Sequence, residues 1–215
     1  AEKLTELLAA FARRELDLLI GTQMVAKGHD FPGVTLVCVV MADSALTLPD
    51  FRASERTFHL LTQVAGRAGR GKDPGRVLVQ SYNPEAAPIA RMLANDFLSF
   101  SEEELRRRAL LAWPPTARLV AVRIEGESSD LTVRAAKLLS RAAERSLPPP
   151  SQGVRLLGPA PAPIARIKGK TRWQLVVKAP SHAAMARVID ALEAAAAETP
   201  RSVRVVIDVD PGAML

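Results

Sequence analysis

The chain has 215 residues, 48% hydrophobic and 24% charged, with a net charge of +6 and an isoelectric point near 10.0. That composition suits one large or two small globular domains. The lone cysteine, Cys38, excludes a disulfide framework or a thiolate-rich zinc site within the chain. No apolar run is long enough to span a bilayer or to act as a secretory core, so the expected compartment is the cytosol. The charge is unevenly spread. Residues 1–112 hold 14 Lys and Arg against 14 Asp and Glu, whereas residues 113–215 hold 15 against nine. A basic second half points to a polyanion or an acidic peptide as partner, or simply to a solvated surface.

In chain order, Leu4, Leu7, Leu8 and Phe11 recur at helical spacing over 3–14. Residues 17–21 and 34–42 read as strands, and the second is apolar enough (Val34 to Met41) to be covered on both faces, with Cys38 as a buried thiol. A helix is expected over 53–66 and a third strand over 75–82. Strands alternating with helices predict an α/β lobe with a parallel sheet. Two helices follow over 84–111. The second carries Glu102-Glu103-Glu104 early and Arg106-Arg107-Arg108 late, which suits the helix dipole; the arginines read as a solvated face or as a phosphate contact. Trp113-Pro114-Pro115 ends that helix and marks a domain boundary, so the domains are expected at 1–112 and 113–215.

The second half predicts a strand at 117–126, a helix at 130–146 stopped by three prolines, and a strand at 154–158. A hairpin of 164–168 and 171–179 around Gly169-Lys170, an alanine-rich helix at 181–198 and a strand at 203–209 complete it. Apart from the extra strand near 156, this is βαββαβ, a ferredoxin-like α+β unit. The hairpin gathers Arg166, Lys168, Lys170, Arg172 and Trp173 within eight residues. With a two-residue Gly169-Lys170 loop, Arg166 would face Trp173 and allow a cation–π contact. Such a basic rim suits stacked bases and phosphates, or a tail ending in acidic residues and a phenylalanine; alternatively Trp173 packs inward on an exposed charged hairpin.

Two motifs in the first half carry chemistry. Gln63-Val64-Ala65-Gly66-Arg67-Ala68-Gly69-Arg70 sets two arginines three residues apart at a helix end, among small residues that permit close approach. Guanidinium forks match phosphate oxygens and stabilise charge developing in phosphoryl transfer. Upstream, Gly21-Thr22-Gln23-Met24-Val25-Ala26-Lys27-Gly28-His29-Asp30-Phe31 comes after an apolar run. The Thr22 hydroxyl and helix amides there suit an anion, and Asp30 suits a ribose hydroxyl.

Together these segments resemble motifs V and VI of superfamily 2 helicases. With Asp43-Ser44-Ala45-Leu46-Thr47-Leu48-Pro49-Asp50-Phe51-Arg52 between them, the chain resembles the PriA family of bacterial primosomal replication-restart helicases. Trp113-Pro114-Pro115, Leu157 to Ile164, Arg172-Trp173-Gln174-Leu175 and the closing Asp208-Val209-Asp210-Pro211 extend the likeness over nearly the whole chain. His59, where the family pattern has glutamine, departs from it.

The resemblance implies a truncated RecA-like lobe followed by a ribosomal S10-like domain, in a protein that hydrolyses ATP with magnesium and restarts replication at stalled forks. Arg67 and Arg70 would touch the γ-phosphate with Gln63 beside them. Gly28, Asp30, Gly66 and Gly69 would shape the nucleotide site. Thr22, Arg166, Lys168, Arg172 and Trp173 would meet DNA, forked or single-stranded. Lys170 and Gln174 would grip the tail of the single-stranded DNA-binding protein, and other primosome proteins are further implied partners. The chain starts at Ala1, and neither a GxxxxGK[ST] loop nor a magnesium-binding acidic motif occurs in it. It therefore reads as the C-terminal piece of a longer, cytoplasmic and nucleoid-associated protein, inactive alone. The zinc ligands of the family are expected upstream, and no metal ligand is assigned here. The competing readings are a non-catalytic DNA- and tail-binding module with a vestigial lobe, and a different superfamily 2 translocase.

Overall fold

The computed structural model describes residues 2–22, 31, 33–66, 68 and 74–214. Contacts divide the chain into two units, Ala1–Thr47 with Arg52–Ser101, and Leu48–Phe51 with Glu102–Leu215.

The first unit contains α1 (Glu2–Ala12), β1 (Leu36–Val39), a 3-10 turn (Ser44–Thr47), α2 (Ala53–Ala65), β2 (Arg76–Val79) and α3 (Ala87–Leu93). Helix α4 (Phe97–Leu110) starts in it and continues into the second unit. β1 and β2 pair in parallel, Leu36 opposite Arg76 through Val39 opposite Val79. Helix α2 turns Ser54, Thr57, Phe58 and Leu61 inward. These positions recur at three and four residues, the spacing that puts side chains on one helix face. Phe58 stacks on Phe100 with ring centroids 4.2 Å apart, and Leu61, Ile89 and Met92 complete the core.

Three expectations for this unit are corrected. Residues 17–21 are not a strand: nothing among the described residues pairs with them, and Leu18 and Ile20 are 73% and 84% exposed. An apolar run becomes a strand only when a neighbour completes its hydrogen-bond ladder. Among the described residues, two strands therefore stand here instead of three. β1 is also not covered on both faces. Val37 and Val39 are half-buried while Leu36 and Cys38 are exposed, so Cys38 is not a buried thiol.

The second unit is built on β3 (Arg118–Gly126), α5 (Ser129–Ser146), β4 (Arg155–Ile167), β5 (Lys170–Ala179), α6 (His182–Ala197) and β6 (Val203–Val209). Its antiparallel sheet has the order β4-β5-β3-β6, the ferredoxin-like arrangement of a βαββαβ chain. Ser128 and Ser181 cap α5 and α6, their hydroxyls accepting from Leu131 N–H and Ala184 N–H. Helix α5 packs Ala135, Ala136, Leu139 and Ala143, and α6 packs Met185, Val188 and Leu192, against Val120, Val122, Ile124, Leu175 and Val177 of the sheet. Both helices thus cover one face. On the other, Phe51, Trp113 and Met214 cover Leu119, Ala121 and Val176.

The expected separate strand near 156 is the start of β4, which runs through the proline-spaced segment with two irregularities, at 157/160 and 161/166. Proline is tolerated there because β4 is an edge strand and need not donate outward. Gly158, at φ +97°, allows the first irregularity; a Cβ there would lie 2.8 Å from the Gln174 carbonyl oxygen.

Candidate functional sites

The lobe site begins at the C-terminal turn of α2. With Phe58 and Leu61 locked inward, His59 and Gln63 lie one turn apart on the exposed side. Gly66 closes the helix, its N–H donating to Thr62 O at 3.0 Å. Its φ is −68°, and a Cβ would sit 3.4 Å from Thr62 O. Among the described residues, neither its φ nor a close neighbour requires glycine at this position. Gln63 and Gly66 are both exposed at this helix end. Thr22 is exposed. Arg67, Arg70, Gly28, Asp30 and Gly69 lie outside the described residues. Among the described residues, no group of three or more His, Cys, Asp or Glu side chains is placed to hold a metal ion.

The arginine run of α4 is divided by packing. Arg108 is buried, pairing with the equally buried Glu104 at 2.8 Å. Its guanidinium also donates to Pro114 O and Phe51 O and lies over the Phe51 ring. Arg107 meets the same carboxylate at 2.6 Å. Arg108 is thus neither on a solvated face nor set for phosphate. Phe51 stacks on Trp113 at 5.4 Å, and the Lys178 ammonium sits 3.3 Å from the Trp113 ring centre while donating to Leu111 O. Burial, and then the charge of Arg155, push the Lys178 pKa down from its ordinary value.

The hairpin turns at Lys168-Gly169 rather than Gly169-Lys170. Their φ values of 49° and 81° are the two successive positive values that a type I′ turn requires. Ile167 faces Lys170 and Arg166 faces Thr171. Trp173 faces Pro161 and Ile124 and packs against the helix-covered core. The expected Arg166–Trp173 pairing, and a cation–π contact resting on it, are therefore not formed. Alternation along β5 sets Trp173 on the helix side and Lys170, Arg172 and Gln174 on the other. Arg166 and Lys168 are exposed at the tip.

The sheet register brings in residues that sequence reading did not single out. Arg172 faces Glu125, Gln174 faces Arg123, and β6 places Arg204 opposite Glu125 and Val206 opposite Arg123. Arg123, Glu125, Arg172, Arg204 and Val206 line a half-open pocket of about 220 Å³. The available signal was the alternation Val122-Arg123-Ile124-Glu125, which puts two charges on one face of an otherwise apolar strand.

Among the described residues, no helix is long and apolar enough to cross a membrane. Family profiles described as helicase conserved C-terminal domain and primosomal protein N C-terminal domain match residues 1–72 and 109–212. The replication restart protein PriA of Synechocystis is 43% identical over 95% of this chain, and that of Haemophilus influenzae 39% over 97%. The Bacillus subtilis protein is 42% identical over 80%. The chain spans 24%, 28% and 21% of these three relatives, about a quarter of their length. With a helicase profile followed by a primosomal one, the chain belongs to the PriA replication-restart family and corresponds to its C-terminal part.

Proposed function

We propose that this chain supplies the second half of an ATP site and a C-terminal DNA- and partner-binding domain to an ATP-dependent helicase. In this reading the whole protein recognises stalled or abandoned replication forks in the bacterial cytoplasm and starts primosome assembly. The observation that carries the reading is the Gln63–Arg70 run, which begins on a helix whose inner face is anchored by Phe58 and Leu61. Anchoring of that kind fixes the direction in which the C-terminal turn of the helix points, as phosphoryl-transfer chemistry requires.

Arg67 and Arg70 then donate guanidinium N–H groups to γ-phosphate oxygens, and Gln63 orients beside them. Gly28, Asp30, Gly66 and Gly69 shape the nucleotide edge, and Thr22 meets the DNA backbone. ATP with magnesium supplies the phosphoryl group and its charge neutralisation when bound. The hairpin tip, through Arg166 and Lys168, adds contacts to DNA. Lys170 and Gln174 take the acidic tail of the single-stranded DNA-binding protein.

Arg70→Ala in the full-length protein is expected to cut ATPase turnover by about 10³–10⁵, with fork binding within twofold in an anisotropy titration. Equal loss of both would assign Arg70 to folding instead. A fork-binding protein with no ATPase before any substitution would favour the vestigial-lobe module. Lys170→Glu should weaken an acidic tail peptide severalfold, and unchanged peptide affinity would remove Lys170 from that role.

A further inference from the structure

We infer that the helix-free face of the β4-β5-β3-β6 sheet holds a phosphate of single-stranded DNA in the pocket lined by Arg123, Arg172 and Arg204. The inference rests on the DNA-binding reading above and locates a contact within it.

The pocket combines strands distant in sequence, so its charge is a property of the register. Two guanidiniums flank one carboxylate, Glu125, which lies 4.0 Å from Arg172 and 3.7 Å from Arg204. Arg123 lies 3.6 Å from Asp208. These separations exceed good hydrogen-bond distances. The acids therefore hold the arginines in place without taking up their N–H donors, and cations still outnumber anions around the hollow. Arginine's fork of donors suits a phosphodiester oxygen pair.

The sheet also argues against an apolar-anchored peptide in this pocket. The apolar end of the same face, Leu119, Ala121 and Val176, is occupied by Phe51, Trp113 and Met214. Among the described residues, the open end offers Val206 as its one apolar lining residue. A tail ending in phenylalanine finds no recess there, and one held at Lys170 and Gln174 would border the pocket without filling it. Trp173 packs to the opposite side, so base stacking does not contribute here. Binding should therefore be indifferent to base identity and steeply dependent on salt. A single strand can bend a phosphate into a hollow that a rigid duplex bridges.

The test titrates full-length protein with a fluorescein-labelled oligo-dT strand and with a blunt duplex of equal length, across salt concentrations. The double substitution Arg123→Ala/Arg204→Ala is compared with Arg134→Ala/Arg141→Ala, which removes the same charge from exposed positions on α5. Loss of this one phosphate contact should flatten the single-strand salt slope by about 0.7 and weaken binding about tenfold, while the α5 variant stays near wild type. An equal loss in the α5 variant would reduce the effect to net charge and overturn the proposal. A loss confined to the duplex, or to an acidic tail peptide, would overturn it in favour of that ligand. Unchanged strand binding by a wild-type-like Arg123→Ala/Arg204→Ala protein would sink the pocket alone. Failure of the unsubstituted protein to bind any strand would sink the DNA reading with it.

Discussion

In the lobe, Leu36 and Leu78 of the paired strands are 51% and 52% exposed, whereas Val120, Val122, Ile124, Leu175 and Val177 of the C-terminal sheet are closed to solvent. Both sheets are rich in valine and leucine. The difference lies in cover. Two four-residue parallel strands are packed on one side by α2 and its neighbours, while four longer antiparallel strands carry two capped helices. Parallel strands normally need both faces covered, and among the described residues β1 and β2 have one. A β-branched run promises a strand, but the elements packed against it decide whether that strand is also a core.

The largest stability contrast should come from matched leucine truncations. Leu139→Ala removes a fully buried side chain of α5 and should cost about 3 kcal/mol, within the usual range for such changes. It should be seen as faster amide exchange throughout β3 and β5. Leu36→Ala in the half-exposed strand should stay within about 0.5 kcal/mol, and equal costs would break the comparison. Gly158→Ala would force a left-handed backbone and a 2.8 Å approach to Gln174 O, and should cost about 2 kcal/mol. Denaturant unfolding followed in the C-terminal unit checks it.

A smaller effect is expected from Asp210. Its Oδ2 meets His182 Nε2 at 2.7 Å and Arg118 Nη1 at 3.3 Å. Burial alone would raise its pKa, but the hydrogen bond with His182, the Leu119 backbone and the charges of His182 and Arg118 hold it below the ordinary 3.8. A lowered carboxyl stabilises the fold above its unfolded value and loses that contribution as pH falls through the folded one. Asp210→Asn should therefore lower stability near neutrality and flatten its loss below pH 3.8. A parallel acid-unfolding profile would show that the pair does not matter. The smallest expected change is Lys168→Asn, at φ 49° in the hairpin turn. It should stabilise by about 0.5 kcal/mol, since asparagine accepts the left-handed region more readily than lysine.

Much of this architecture was legible in the residues. The helices over 53–66, 130–146 and 181–198 and the βαββαβ order come from local periodicity. So does the family, because Gly-Arg-Ala-Gly-Arg and its neighbours are contiguous in sequence. The hairpin misled by one residue at the turn: Lys168-Gly169 and Gly169-Lys170 are both plausible by composition, and the choice changes every cross-strand partner. The arginine run misled differently, because Arg108, besides its i,i+4 partner Glu104, met Phe51, 57 residues away, which no local pattern connects.

The amino-acid order alone determined most of the helices and strands, with 17–21 the exception, and where the Gln63–Arg70 motif lies, because these depend mainly on interactions within a few residues. Only the tertiary structure decided that Trp173 faces the core, that Cys38 is exposed, and that Arg123, Arg172 and Arg204 share one hollow. Each of those outcomes depends on register and cover between strands far apart in the chain, and a strand's own residues do not specify its neighbour.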